Sequence, residues 1–363
     1  LKIIVSGCLA QRYADDIRAE LPEVDGIMGT GSYSEVVSVV EAVLAGDKPT
    51  RRGAISAPLY DTPRAVSTGP NWAYLRIAEG CDNRCAYCVI PSLRGKFRSR
   101  TKESILEEAR LLAASGVKEL IIVAQDITRY GIDLYGKVCL TELLKELCKL
   151  DFRWVRLHYL YPELIDDELI DEIASEDKIV KYLDIPIQHI NDTILRRMNR
   201  RGTGEEIRAL FKKLRERIPG LVLRTSLITG LPGEGEAEFE ELCDFLREAK
   251  IERAGVFPSS PEEGTPAALM PDRCSTEEAQ RRAELCMEIQ AEIMDGFAET
   301  FIGRELDVLV MGREPDGTPW GRSEYDSPDI DSRVIFSGDA APGDMVRVRI
   351  DSVDDGELIG EQI

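Results

Sequence analysis

The sequence predicts an α/β fold in three parts: a short α/β region, a partial (β/α)6 barrel, and a small all-β barrel. Three observations carry this. From Asn71 onward, six apolar, strand-like runs alternate with amphipathic helical stretches, the pattern of a parallel sheet with crossover helices. Eight such units in about 250 residues close a full barrel, so six predict an open one, with chemistry at the C-terminal ends of its strands. After Gly303 the texture changes to short alternating runs divided by Gly, Pro and Asp, which reads as a small barrel of five or so strands.

The elements follow in order. "KIIVS" is a continuous apolar run, "QRYADDIRAEL" has helical spacing, "VDGIMGT" is strand-like and "YSEVVSVVEAVLAG" is helical. Together residues 1–52 read as the tail of an α/β domain whose natural N-terminus is expected upstream of Leu1. "APLYDTPRAVSTGP" has no apolar period and is rich in turn formers, so residues 53–70 read as a linker. The barrel strands are "AYLRIAEG", "ELIIVAQD", "WVRLHYLY", "KYLDIPIQ", "LVLRTSLITG" and "RAGVFPSS". Among the helices, "KESILEEARLLAASG" places Ile105, Leu106, Ala109, Leu112 and Ala113 on one face and ends at Gly116. A long helical stretch from Ser275 to Gly303 connects the barrel, residues 71–298, to the tail, residues 299–363. Four strand runs are legible in that tail: "ELDVLVMG", "RVIFSG", "DMVRVRIDSV" and "ELIGEQI".

Composition bounds the function. The formal charge is −20 with pI near 4.7, and the tail from Gly303 carries 15 Asp or Glu against 6 Arg and no Lys. Nucleic-acid affinity rests on neutralising phosphates, so a wide RNA or DNA footprint is not expected to dominate. A basic protein partner, steered by charge, fits better. No apolar run is long enough to span a bilayer, so no membrane partner is expected. Nine cysteines without a secretion signal point to a reducing, cytoplasmic setting, where thiols serve metals or chemistry.

The chemistry concentrates in "EGCDNRCAYCVIPSLRG", Glu79 to Gly95, where Cys81, Cys85 and Cys88 lie in a Cys-x3-Cys-x2-Cys array after the first barrel strand. Zinc sites pair two short-spaced couples or add a nearby histidine, and His158 and His189 are both distant in sequence. Thiolates are the ligands of iron–sulfur clusters. Three of them hold three irons of a [4Fe–4S] cube and leave the fourth to an outside ligand. A structural zinc knuckle or incidental loop cysteines are the alternatives. Cys139, Cys148, Cys243, Cys274 and Cys286 fall on apolar helix faces or their edges and read as core thiols.

This spacing, with Tyr87 directly before the third cysteine, resembles the radical S-adenosylmethionine (SAM) superfamily. The resemblance implies that SAM chelates the unique iron and that one electron cleaves it to methionine and a 5′-deoxyadenosyl radical. "GCLAQRY", the linker, "EGCDNRCAYC" and the all-β tail together resemble the methylthiotransferases. They imply a methylthiotransferase N-terminal α/β domain, a partial radical-SAM barrel and a TRAM barrel. In that family the N-terminal domain holds a second [4Fe–4S] cluster on three cysteines. Cys8 matches the third, and the other two are expected upstream of Leu1.

Further matches are local. "LITGLPGE" resembles the family's segment along the adenine of SAM, which implies Ile228, Gly230 and Glu234 as cofactor neighbours. Gln125, ending the second barrel strand, and Gln188, ending the fourth, sit at the same rim, as does His189. Tyr87 would shield the cluster, and Arg224 has a carboxylate to find, from cofactor or protein. "RGKFRSRTK" and "RRMNRR" are basic clusters whose default is a solvated face, with an acidic acceptor or the SAM carboxylate as the alternative.

Two branches of the family compete. The MiaB type modifies an adenosine of tRNA. The RimO type adds a methylthio group to the β-carbon of an aspartate in small-subunit ribosomal protein twelve, free or in the subunit. "WGRSEYDSPDIDSRVIF", an acidic insert, and "VFPSSPEEGTPAA" resemble the RimO branch, and the acidic tail agrees. A flavodoxin- or ferredoxin-like protein is the implied reductant. A metal-bound interaction module is the non-enzyme alternative.

Overall fold

A computed structural model describes residues 1–56, 64–69 and 71–363; part of the expected linker therefore lies outside the described residues. Three sheets follow one another along the chain. The first is parallel, in the order β1 (Ile4–Ser6), β2 (Gly26–Met28), β3 (Thr50–Arg51). Its small core joins Ala10, Ala14, Val24 and Ile27. The stretch expected as one helix is two, Cys8–Arg12 and Ala14–Glu20, because the backbone leaves the helical region at Tyr13 (φ −114°, ψ 30°).

The second sheet holds the six expected strands: β4 (Trp72–Arg76), then β7 (Glu119–Val123), β8 (Trp154–Leu157), β9 (Ile179–Asp184), β10 (Val222–Thr229) and β11 (Arg253–Pro258). All neighbours pair in parallel, in chain order from one edge to the other, and the barrel stays open. "AYLRIAEG" does not run through as one strand. After β4 the chain turns into β5 (Ala78–Glu79), which pairs antiparallel with β6 (Arg98–Ser99), a strand with no sequence signal. This ribbon brackets the cysteine loop. The helix Lys102–Ala114 starts at Thr101, whose hydroxyl accepts the Ser104 N–H, and buries Ile105, Ala109 and Leu112.

Alternation divides each strand. One face, with Leu75, Leu120, Ile122, Val155, Leu157, Leu223 and Leu227, packs under the helices. The other carries charge: Glu119, Arg156, Asp184, Arg224 and Arg253. Charges held out of water need partners, and the third sheet supplies several of them.

That sheet is a closed barrel in the order β12 (Glu305–Arg313), β13 (Pro319–Ser323), β14 (Val334–Ser337), β16 (Glu357–Gln362), β15 (Met345–Asp354). The strand missing from the four legible runs is β13, "PWGRS". It ends at the acidic insert, which folds inward onto the charged face of the second sheet. Arg322 donates to Glu119 (2.5 Å), and Arg156 Nε donates to the other oxygen of the same carboxylate (2.6 Å). Arg253 donates to Asp326 (2.8 Å), the Tyr182 hydroxyl donates to Asp331 (2.7 Å), and Ser327 Oγ lies 3.1 Å from His158 Nε2. The charges of Asp326 and Asp331, read from sequence as part of an acidic partner surface, are used inside the protein.

His158 carries a pH prediction. Burial first, then the cations of Arg156 and Arg224, push its imidazole down to about 3. That lies below the unfolded value near 6.5, so the neutral ring's contribution is complete above that pH and is lost as pH falls toward 3. At pH 5 the loss is about 2 kcal/mol. In denaturant titrations His158→Asn is expected to lose less stability between pH 7 and pH 5 than wild type, by about that amount; equal losses contradict this reading. Among the described residues no helix is long and apolar enough to cross a membrane.

Candidate functional site

The cysteine loop runs from Gly80 to Gly95, at the C-terminal end of β4. Gly80 takes φ +82°, and a Cβ there would sit 2.1 Å from the Lys96 carbonyl oxygen, so only glycine fits. Its N–H donates to Gln125 Oε1 (2.7 Å), and the Cys81 N–H donates to the Gly95 carbonyl (3.1 Å). Inside the loop Asp82 accepts the Phe97 N–H (3.1 Å), and the Asn83 amide donates to buried Asp126 (3.1 Å). The Cys88 N–H donates to the Cys85 carbonyl (3.1 Å), closing a turn between the last two cysteines.

The three thiols share one electrostatic neighbourhood. Burial, with the neighbouring Asp126 and the other two cysteines, pushes Cys81 up to about 11; burial and Cys85 also raise Cys88. Cys81 and Cys88 therefore resist ionising, as expected for sulfurs held out of water. Among the described residues no three His, Cys, Asp or Glu groups gather around a point that would hold a single metal ion. The donor set itself fits a cluster: three thiols sit on one glycine-bracketed loop, and the carboxylates nearby are taken up within the protein, Asp82 by the Phe97 N–H and Asp126 by Asn83 and Thr128.

The remaining sequence-predicted residues fall into two groups. Around the rim, Tyr87 and Ile228 pack in one cluster with Ala86, Leu231 and Met270. Tyr87 and Gly230 also line a cavity of about 490 Å³, along with Pro232, Ser259 and Cys274. Gly230 takes φ +74°, and a Cβ there would meet Ala279 at 2.4 Å. Gln188, at φ +73°, accepts the Ile228 N–H on its backbone carbonyl (2.8 Å), which ties the ends of β9 and β10 together. Cys274 is a correction: it lies half-buried in the loop before the helix Thr276–Glu299, not on a helix face, whereas the other four cysteines read as core thiols are buried.

Glu234 and Arg224 are engaged within the protein. The Glu234 side chain is wholly buried; it accepts from Gly230 N–H (2.9 Å) and Arg282 (3.0 Å), and lies 3.4 Å from His189 Nε2. Burial disfavours its charge, but His189, the Gly230 N–H and Arg282 outweigh that and hold it below the usual range. His189 Nδ1 accepts the Asn191 N–H (3.0 Å), so this histidine orients a turn. Arg224 pairs with Asp184 at 2.9 Å on the charged face of the sheet.

Three contacts had no sequence signal of their own. Cys8, at the start of its helix, accepts from Arg94 Nη2 (3.2 Å), and Arg94 Nη1 donates to Glu79 (2.8 Å). The first sheet's cysteine is thereby brought against the end of the Cys81–Cys88 loop. Arg12 pairs with Glu262 and the Glu263 carbonyl across the same boundary. Tyr161 places its hydroxyl 3.5 Å from Cys85 Sγ. Of the basic cluster near the loop, Arg98 donates to the carbonyls of Arg94 and Lys96, and Arg100 is buried against Glu108, so neither is a solvated face.

Comparison with known proteins fits this geometry. The Radical SAM superfamily pattern matches residues 75–246, and the TRAM domain pattern matches residues 302–363. A ribosomal protein uS12 methylthiotransferase RimO of Pelotomaculum thermopropionicum is 50% identical, over 99% of this chain and 83% of its own. The protein of the same name from Caldanaerobacter subterraneus subsp. tengcongensis is 47% identical, over 98% and 82%. The chain belongs to the RimO family of radical SAM methylthiotransferases.

Solved structures agree on the fold. The radical SAM methyltransferase TsrM of Kitasatospora setae, with cobalamin and a [4Fe–4S] cluster bound, superposes with a TM-score of 0.54 at 17% identity, over 74% of this chain and 59% of its own. Membership in the RimO family makes the chain an enzyme that uses a [4Fe–4S] cluster and SAM, with a second cluster belonging to the family's N-terminal domain.

Proposed function

We propose that this chain transfers a methylthio group to the β-carbon of an aspartate in ribosomal protein uS12, with a flavodoxin- or ferredoxin-like reductant, in the cytoplasm. The observation that carries this is the three-thiol loop at the C-terminal end of β4, in a chain about half identical to RimO proteins along nearly its whole length. We assign residues 1–52 to the methylthiotransferase N-terminal domain, 53–70 to a linker, 71–298 to the barrel with its connector helix and 299–363 to the TRAM barrel.

In this reading Cys81, Cys85 and Cys88 would hold the cluster that binds SAM, and Cys8 would serve the second cluster. When bound, the cluster would supply one electron, and SAM the carbon-centred radical chemistry that removes hydrogen from an unactivated carbon. The chain's own residues bind and orient. Tyr87, Ile228 and Gly230 form an apolar wall for an adenosine. Gln125 sets the start of the cysteine loop, and Gln188 sets the strand end beside that wall. Glu234 acts from below, by fixing the Gly230 turn, and Arg224 by filling the inner face beside Asp184. No side-chain acid or base is required, because hydrogen leaves as an atom.

The acidic tail supports a basic protein acceptor over tRNA. Asp339, Asp351 and Glu361, unlike Asp326, keep exposed carboxylates. To test this, the protein is expressed whole from its own gene, reconstituted without oxygen, and offered uS12 and tRNA side by side with SAM, reductant and sulfide. Mass spectrometry is expected to find the methylthio group on an uS12 aspartate. Modified tRNA adenosine with unmodified uS12 contradicts the proposal.

A further inference from the structure

The basic stretch "RRMNRR" is only in part the solvated face its composition predicts: Arg196 and Arg201 are exposed, whereas Met198 and Arg200 turn inward. Met198 accepts the Ala86 N–H (2.8 Å), and the Asn199 amide donates to the Arg84 carbonyl (2.7 Å) from a left-handed backbone (φ +53°) that asparagine tolerates. From the other side the Ala267 N–H donates to the Ala86 carbonyl (2.9 Å). The middle of the cysteine loop is thus gripped on both flanks. Arg200 then reaches beneath it. Its Nη2 donates to the Pro186 carbonyl (2.7 Å), and its Nη1 lies 3.8 Å from Cys85 Sγ. The guanidinium stacks 4.6 Å over the ring of Tyr161, whose hydroxyl faces the same sulfur.

The charge of Arg200 has no carboxylate partner among the described residues, and its buried Nε makes no hydrogen bond. The side chain is more than nine-tenths buried. An unpaired guanidinium out of water is costly, and arginine does not escape by losing its proton. A fixed cation in such a place needs an anion. The nearest candidate is Cys85 once it binds metal, because a metal-bound cysteine is a thiolate.

We propose that Arg200, steadied by the Tyr161 ring, is the counter-cation of the group held by Cys81, Cys85 and Cys88 and raises its reduction potential. The proposal rests on the reading that these cysteines carry an iron–sulfur cluster. Adding an electron adds negative charge beside the guanidinium, and in a low-dielectric setting that attraction is only weakly screened. Hydrogen bonds and charge near cluster sulfurs are established determinants of potential. Arg200 is a positioning residue: it acts through Cys85 and not on the acceptor.

The test is an EPR-monitored redox titration of the reconstituted whole protein, with iron and sulfide counted per chain. At the wild-type midpoint, Arg200→Met is expected to hold at least tenfold less reduced relative to oxidised cluster, a shift of about 59 mV toward negative potential. Arg200→Lys keeps the charge and is expected to shift less. Asn199→Ala loosens the grip, so it is expected to lower iron content without moving the midpoint. Full iron content with an unmoved midpoint in Arg200→Met overturns the proposal alone. If Arg200→Met holds no iron, Tyr161→Leu decides: a midpoint moved negative supports the proposal, and an unmoved one overturns it. A wild type that takes up no iron overturns the cluster reading, and this proposal with it.

Discussion

Replacing Cys85 by Ala is expected to leave the loop unable to retain iron and to reduce both SAM cleavage and methylthio transfer to background. Cys85 is the centre of the loop: it closes the turn to Cys88, faces Tyr161 and lies over Arg200. Cys81→Ala and Cys88→Ala are expected to behave alike, since two thiolates cannot hold three irons. Two controls give the prediction its meaning. Cys243→Ala alters a buried thiol whose Sγ lies 4.0 Å from that of Cys286, among the barrel's covering helices, and is expected to keep iron and cleavage. Cys8→Ala is expected to keep SAM cleavage and lose methylthio transfer if, as proposed, it serves the second cluster. Iron content, product 5′-deoxyadenosine and modified uS12, measured together, check all of these. SAM cleavage that survives in Cys85→Ala contradicts the assignment.

The second large effect lies away from the chemistry. Glu119→Ala is expected to destabilise the protein by about 3–5 kcal/mol, the usual consequence of leaving buried charges unpaired. Its side chain is fully buried between Arg156 and Arg322. Burial opposes ionisation of the carboxyl, but the two guanidinium groups outweigh it and hold the group below its ordinary range. Removing it strands two cations, one on β8 and one on β13, and loosens the docking of the last barrel. Arg349→Ala, which breaks a half-exposed pair with Glu361, is expected to cost no more than about 1 kcal/mol. Denaturant titration of the three proteins checks the contrast, and equal losses in the two variants contradict it.

These two sites also show which features were legible in the sequence. The cysteine loop was readable because its signal is local: spacing, glycines and a preceding strand lie within twenty-odd residues. The six strands were readable for a similar reason, since their helix-facing sides are apolar runs long enough to stand out. The ribbon β5–β6 and the strand β13 were not. Each is short and polar and owes its conformation to a partner strand. The charged inner face was hidden too. "WVRL" and "ELIIV" look like apolar strands with a stray charge, and one of the two cations that neutralise Glu119, Arg322, lies 203 residues on. The acidic insert was noticed, but its Asp326 and Asp331 turn inward, which charge counting along the chain does not register.

The site shows the same division. Tyr87 and Gly230 line one cavity, and Tyr87 lies beside Cys85 and Cys88 on the loop that their spacing singles out. Tyr161 and the contact of Arg94 with Cys8 depend on loops from different strands meeting over the sheet, and no periodicity announces that. Arg200 stood in the sequence as one of four arginines on a basic stretch. Only the fold separates it from Arg196 and Arg201, which remain exposed.

The most direct test of hydrogen abstraction by this protein follows one atom. The reconstituted whole protein is given uS12 whose aspartates carry deuterium at the β-carbon, together with SAM and reductant, and the 5′-deoxyadenosine is examined by mass spectrometry. Deuterium is expected in that product, in step with methylthio addition to one aspartate. Neither signal is expected from Cys85→Ala. Methylthio addition with no deuterium in 5′-deoxyadenosine would contradict hydrogen abstraction by the group held on the Cys81–Cys88 loop.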